Sequence, residues 1–216
     1  MTSEQTYTTE QEAFWAGEFG TAYSQRNRGD NLLSSNLAFF SRALKSTDNI
    51  NSFIEFGANV GMNMKALNSL FPEATFHGIE INSDAAKELA NEIGKANVTC
   101  CSILDHEPAQ KFDLAFTKGV LIHIEPSLLS RVYDKLFAST DRYLLIAEYY
   151  NPTPIEVRYR GFENRMFKRD FAGELLDRFA TLRLMDYGFV YHRDPKFPLD
   201  DLNWFLFQKL DQHGSP

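Results

Sequence analysis

The sequence predicts an α/β protein built on one open, mostly parallel sheet of seven strands with helices on both faces, and three observations predict it. Short apolar runs alternate with longer amphipathic segments between Asn51 and Leu145. A glycine-rich turn separates the first of these runs from the helical segment after it. The chain has 216 residues, 44% of them hydrophobic, which is long enough for one well-buried core and short for two full domains.

The elements follow in order. Residues 1 to about 10 are polar and expected to be mobile. Glu12 to Tyr23 carries Phe14, Trp15, Phe19 and Tyr23 at helical spacing, and a second helix is expected over Leu32–Leu44, with Leu33, Leu37, Phe40 and Leu44 on one face. Both belong to an N-terminal cap over residues 11–46. The apolar runs Phe53–Phe56, Thr75–Ile79, Val98–Ile103, Phe112–Phe116 and Tyr143–Ala147 are expected strands. Helices are expected between them over Gly61–Phe71, Ser83–Ile93 and Ser127–Ser139, with Asp84 in the first turn of the second and Pro126 just before the third. Such alternation implies parallel pairing through right-handed crossovers. The prolines of Tyr149-Tyr150-Asn151-Pro152-Thr153-Pro154 forbid helix and ladder, so residues 149–170 read as an irregular insertion. A helix over Asp170–Phe179 and two strands, Leu182–Tyr191 and Asn203–Leu210, complete one domain, and the sequence holds no internal repeat.

Composition narrows the partners. A formal charge of −7 and a mixed distribution of both signs give no general attraction to nucleic acid. The polar N-terminus does not read as a secretory signal, and no apolar run approaches the roughly 20 residues that span a bilayer, so a cytoplasmic protein without a membrane partner is expected. Cys100 and Cys101 are neighbours that would point to opposite faces of a strand. They are expected to be uncrosslinked residues in or near the core. His77, His106, His123, His192 and His213 show no paired ligand spacing, so no metal is expected.

The most informative stretch is Phe53-Ile54-Glu55-Phe56-Gly57-Ala58-Asn59-Val60-Gly61, a strand entering a glycine turn at the mouth of a helix. Ligands of open α/β sheets bind outside the carboxyl ends of the strands, and Gly57 and Gly61 let the backbone approach one closely. The second strand ends Gly78-Ile79-Glu80-Ile81-Asn82, where the Glu80 carboxylate is placed to accept hydrogen bonds from both hydroxyls of a ribose. A dinucleotide and S-adenosylmethionine both fit these features. The dinucleotide pattern G-x-G-x-x-G, started at Gly57, fails at Asn59 and Met62, and no Tyr-x-x-x-Lys pair supports an oxidoreductase.

The chain resembles the class I S-adenosylmethionine-dependent methyltransferases. Glu55-Phe56-Gly57-Ala58-Asn59-Val60-Gly61 matches their first motif, Glu80 their ribose-binding acid, Cys101-Ser102-Ile103-Leu104-Asp105 their adenine-contacting segment and Phe112-Asp113-Leu114-Ala115-Phe116-Thr117-Lys118-Gly119 their fourth motif. The resemblance implies a Rossmann-like sheet with an antiparallel last strand and S-adenosylmethionine as cofactor. It further implies that Glu55, Gly57, Ala58, Asn59, Gly61, Glu80, Ile81, Ser102, Ile103, Thr117, Lys118 and Gly119 surround the cofactor. Many family members carry an acid where Ser102 stands, so adenine recognition is expected to use the Ser102 hydroxyl and the Ile103 backbone.

A narrower similarity runs over about residues 11 to 209, through Glu12-Ala13-Phe14-Trp15-Ala16-Gly17-Glu18-Phe19-Gly20, Thr117 to Ile124, Ala147 to Pro154, Phe167 to Glu174 and Asp186 to Pro195. These segments look like methylases associated with pseudaminic acid biosynthesis, which implies a sugar or nucleotide-sugar of a surface glycan as acceptor. The insertion independently concentrates Arg158, Arg160, Arg165, Lys168 and Arg169 in an otherwise acidic chain, suited to a small anionic substrate, with Tyr150 and Tyr159 beside them. His192 from the late loop completes the expected substrate set. Methyl transfer needs orientation, desolvation and, for some acceptors, a base, for which His123, Glu148 and Tyr149 are the candidates near the fourth and fifth strands, with His192 from the late loop. Phe14, Trp15 and Arg26 are expected in a lid over the cofactor, with Tyr23 and Asn27. A binding module that has lost the reaction is the alternative outside catalysis.

Overall fold

The computed structural model describes residues 7–211; residues 1–6 and 212–216, the latter including His213, are not among the described residues. The elements run α1 (Glu10–Ala16), α2 (Glu18–Arg26), α3 (Asp30–Ala43), β1 (Ser52–Phe56), α4 (Met62–Leu70), β2 (Thr75–Glu80), α5 (Ser83–Ile93), β3 (Val98–Cys100), β4 (Phe112–Lys118), α6 (Leu129–Ser139), β5 (Thr140–Glu148), β6 (Ile155–Glu156), β7 (Phe167–Lys168), α7 (Phe171–Arg178), β8 (Leu182–Phe189) and β9 (Asn203–Lys209). Seven strands form one sheet in the order β3-β2-β1-β4-β5-β9-β8. The β1, β2, β3, β4 and β5 pairings are parallel, while β9 runs antiparallel to both β5 and β8.

Strand alternation splits the apolar side chains between two faces. Phe53, Leu114, Phe116, Tyr143, Leu145 and Trp204 pack under α3, α4 and α5 through Phe40, Met64, Leu67 and Leu89. Ile54, Phe56, Ala115, Leu144 and Ile146 pack under α6 and α7 through Val132, Leu136, Phe171 and Leu175. Every central strand is therefore buried on both sides, as a parallel sheet requires.

Four expectations change. The single N-terminal helix is two, because Gly17 in an extended conformation (φ −89°, ψ −157°) ends α1 and caps α2. Residues 9 and 10 belong to this structure: Thr9 and Glu12 form a reciprocal capping box. The third strand ends at Cys100, three residues early, and Cys100 is exposed because β3 is an edge strand with one neighbour. Within the insertion, β6 and β7 form a short antiparallel hairpin where no strand is expected.

Candidate active site

A cavity of about 420 Å³ lies across the carboxyl ends of β1, β2 and β4, roofed by α1 and α2. Its floor begins in the turn after β1. The Gly57 and Ala58 amides both donate to the Ile79 carbonyl at 2.9 Å, which ties this turn to β2. Gly57 has φ +80°, and a Cβ there would lie 2.6 Å from Val120 Cγ2, so only glycine leaves the turn open. Asn59 is also left-handed, at φ 49°, and its amide donates to Glu80 Oε2 at 2.7 Å. The Asn82 amide donates to Glu80 Oε1 at 2.7 Å, so the buried carboxylate is fixed between two turns. Burial raises its pKa against these amide bonds.

Asn82 also latches the roof. Its side-chain oxygen caps α5 by accepting from the Asp84 and Ala85 amides at 3.1 Å, and its side-chain nitrogen donates to the Trp15, Ala16 and Gly17 carbonyls at 3.2–3.3 Å. Ser24 Oγ donates to Asn59 Oδ1 at 2.6 Å, a second bond between roof and floor. Gly20 makes the close fold of α2 on α1 possible, since a Cβ there would lie 1.8 Å from the Trp15 carbonyl oxygen.

At the tip of β4, Lys118 Nζ donates to Asn36 Oδ1 at 3.2 Å and sits 5.9 Å from the Phe39 ring centre. Burial lowers its pKa, opposed by the charges of Glu55, Asp200 and Glu148. Glu55 lies beneath the cavity; burial pushes its pKa up to about 8, Asn63 Nδ2 donates to Oε1 at 2.5 Å, and Oε2 has no partner. Asn36 Nδ2 and Trp15 Nε1, both on residues that line the cavity, are likewise buried without an acceptor. A wall with unfilled donors and fixed carboxylates suits a ligand rich in hydroxyl, carboxylate and amine groups.

The three expected bases near the fourth and fifth strands differ in position. Glu148 does not line the cavity: Oε1 accepts from the Val120 and Leu121 amides at 3.0 and 3.1 Å, and Oε2 from the Ile122 amide at 3.4 Å. Burial still drives its pKa up to about 7. Its carboxylate braces the loop after β4. Tyr149 also lies off the cavity, beside Lys168 Nζ, which is 4.8 Å from its ring centre. His123 lines the cavity between Trp15 and Tyr159, with ring centres 4.6 and 4.9 Å away. Its Nδ1 lies 2.5 Å from the Arg165 carbonyl, which only accepts, so Nδ1 carries the proton and Nε2 is the acceptor. Burial pushes its pKa down to about 4.

The remaining expected residues divide the same way. Trp15, Gly57, Ala58, Asn59, Glu80, Ile81, Ser102, Ile103, Lys118 and Gly119 line the cavity, whereas Phe14, Arg26, Glu55, Gly61 and Thr117 do not. Phe14 stacks on Phe19, 4.1 Å between ring centres, and meets Phe162 edge-on at 5.0 Å. Arg26 is exposed, and Gly61 caps α4 at φ +85°. Thr117 Oγ1 donates to the Phe56 carbonyl at 3.1 Å, joining β4 to β1. Of the substrate set only His192 reaches the wall. Arg165 pairs with Glu10 at 3.2 Å and Arg169 with Glu174 at 2.5 Å. Arg158 bonds the Gly161 carbonyl at 3.2 Å, Arg160 lies over Tyr159, and Tyr150 is exposed.

Several lining residues were not expected: Glu12, Asn36, Asn82 and Asp200. Glu12 and Asn82 carry a visible signal, helix capping, which predicts a local role and not a wall position. Asp200 precedes Asp201, whose two carboxylate oxygens lie 2.8 Å from His192 Nδ1.

No protein-family model and no curated protein matches the chain. Solved structures do. The 1,6-didemethyltoxoflavin-N1-methyltransferase of Burkholderia thailandensis, solved with 1,6-didemethyltoxoflavin and S-adenosylhomocysteine, superposes with a TM-score of 0.69 at 16% identity over 98% of this chain and 94% of its own. Magnesium protoporphyrin IX methyltransferase of Synechocystis, with bound S-adenosylmethionine, gives 0.64 at 12% identity over 95% and 100%. The N-methyltransferase NodS of Bradyrhizobium japonicum, with S-adenosylhomocysteine, gives 0.61 at 14% over 87% and 91%. The fold is that of the class I methyltransferases.

Proposed function

We propose that the chain is an S-adenosylmethionine-dependent methyltransferase of a small anionic acceptor, a cytoplasmic enzyme whose substrate is a sugar or nucleotide-sugar of the kind its pseudaminic acid-type resemblance implies. One observation carries the first part: the cavity across β1, β2 and β4 joins the Gly57 turn to a buried, doubly anchored Glu80. The fold and the bound cofactors of its structural neighbours support the same reading. The acceptor rests on sequence similarity and on the cations Arg158, Arg160 and Lys168, because Arg165 and Arg169 are already paired within the fold.

When bound, S-adenosylmethionine supplies a methyl group on a sulfonium, an excellent leaving group for in-line displacement. Glu80 would accept from the ribose hydroxyls, and Asn36 Nδ2 and Lys118 Nζ would donate to the carboxylate of the amino-acid part. Trp15, Leu32, Leu199 and Leu202 exclude water from the reacting centre. His192 is the better base for the acceptor. Asp201 fixes its Nδ1 side and leaves Nε2 free at the cavity rim, whereas burial weakens His123 as a proton acceptor at neutral pH.

Calorimetry tests the cofactor, with S-adenosylhomocysteine expected to bind and NADH to give no heat. Incubation with methyl-labelled cofactor and a panel of anionic sugars and nucleotide-sugars, read by mass spectrometry, tests the acceptor. Binding without any labelled product from a full metabolite extract would leave only a binding module.

A further inference from the structure

The cavity end at the tip of β3 is lined by Thr9, Gln11, Glu12, Ser102, Ile103 and Leu104. Two of its polar side chains are joined across the cavity end: Ser102 Oγ donates to Glu12 Oε1 and accepts from the Leu104 amide at 3.0 Å. The single hydroxyl hydrogen of Ser102 is thereby committed, so this side chain has none left to give a ligand. Glu12 is different. Its Oε2 is filled by the Thr8 and Thr9 amides, each at 2.9 Å, and by Thr9 Oγ1 at 3.2 Å. Its Oε1 accepts from Ser102 alone and keeps acceptor capacity, in a residue only 7% exposed. Four donors lock the group in place, and it stands on α1, in the roof.

We propose that Glu12 reads the nucleoside base: its Oε1 accepts from the exocyclic amine of the adenine, so the purine is recognised from the roof and not from the sheet. This rests on the cofactor reading above and names the residue that selects within it. The Thr8 and Thr9 donors already hold the carboxylate, so Ser102 adds one bond to it without setting its aim and does not contact the base as a donor. A buried carboxylate facing a base without an amine is left short of a partner, which is the source of discrimination.

The test compares S-adenosylhomocysteine with its 6-deamino analogue, which lacks only that amine, by titration calorimetry on the full chain. The wild type is expected to bind the analogue roughly 20-fold more weakly, as loss of a hydrogen bond to a charged group predicts. In Glu12→Ala the two ligands should bind alike, and in Glu12→Gln the ratio should fall to an intermediate value, because a neutral acceptor is weaker. Ser102→Ala should keep the wild-type ratio, and if circular dichroism shows that Glu12→Ala fails to fold, the ratio in the near-isosteric Glu12→Gln carries the test. A ratio unchanged in Glu12→Ala, a ratio lost in Ser102→Ala, or no preference in the wild type overturns the assignment while leaving the methyltransferase reading intact. No binding of S-adenosylhomocysteine to the wild type overturns both.

Discussion

The two ends of the cavity are built differently. At the β1–β2 end the polar groups belong to strand tips and turns within a contiguous parallel sheet, and backbone amides fix the one carboxylate that matters, Glu80. At the β4–β5 end the walls come from α1, the loop after β4 and the β8–β9 connection, which are far apart in sequence. The first end is preorganised by the sheet itself. The second depends on side chains meeting across long separations, and many of its charges are consumed in making those meetings. A cofactor shared by many enzymes suits the first construction, and an acceptor particular to one suits the second.

His123 sits where the two constructions join, between Trp15 of the roof and Tyr159 of the insertion. It gives the largest expected effect. Its folded-state pKa is depressed to about 4 by burial, so its contribution to stability is fully present above the ordinary histidine value near 6.5 and is lost as pH falls through about 4. The full contribution is on the order of 3 kcal/mol. Urea unfolding of the wild type and His123→Asn, which removes the titrating ring, should show the wild type losing more stability by about that amount as pH is lowered through this window. Parallel pH profiles would mean that the ring is hydrated and that the roof and insertion do not close over it.

Glu80→Ala sharpens the contrast from the sheet side. Loss of a charged hydrogen-bond acceptor should weaken S-adenosylhomocysteine by roughly 1–3 kcal/mol in calorimetry. Unchanged affinity would place the ribose elsewhere.

The difference in construction also explains what could be read in advance. Phe53–Gly61 and Glu80 were legible because a strand period, a glycine turn and the geometry of parallel sheets fix where such residues go. Ser102 was legible as a wall residue, but its partner Glu12 was not, since the two are 90 positions apart and the capping box accounts locally for Glu12. Glu148 shows the opposite failure: the end of β5 suits a base, yet nothing in the sequence reveals that three amides of the loop after β4 converge on that carboxylate. The basic insertion misleads for the same reason. Composition counts charges and does not show which are already paired.

That last point yields the smallest effect and the finest test of the acceptor end. Arg169 is largely buried against Glu174, whose other oxygen accepts from Tyr133 Oη at 2.7 Å, while Arg160 is exposed and only covers the Tyr159 ring. Arg169→Ala leaves Glu174 short of a partner and should lower unfolding stability by about 1–2 kcal/mol. Arg160→Ala should stay within about 0.5 kcal/mol of the wild type. If the acceptor is anionic, Arg160→Ala instead raises KM for it, with kcat and S-adenosylhomocysteine affinity unchanged. A KM that does not move in Arg160→Ala, Arg158→Ala and Lys168→Ala alike would remove the case that these cations make for an anionic acceptor. The cofactor end, which none of these residues lines, would be untouched.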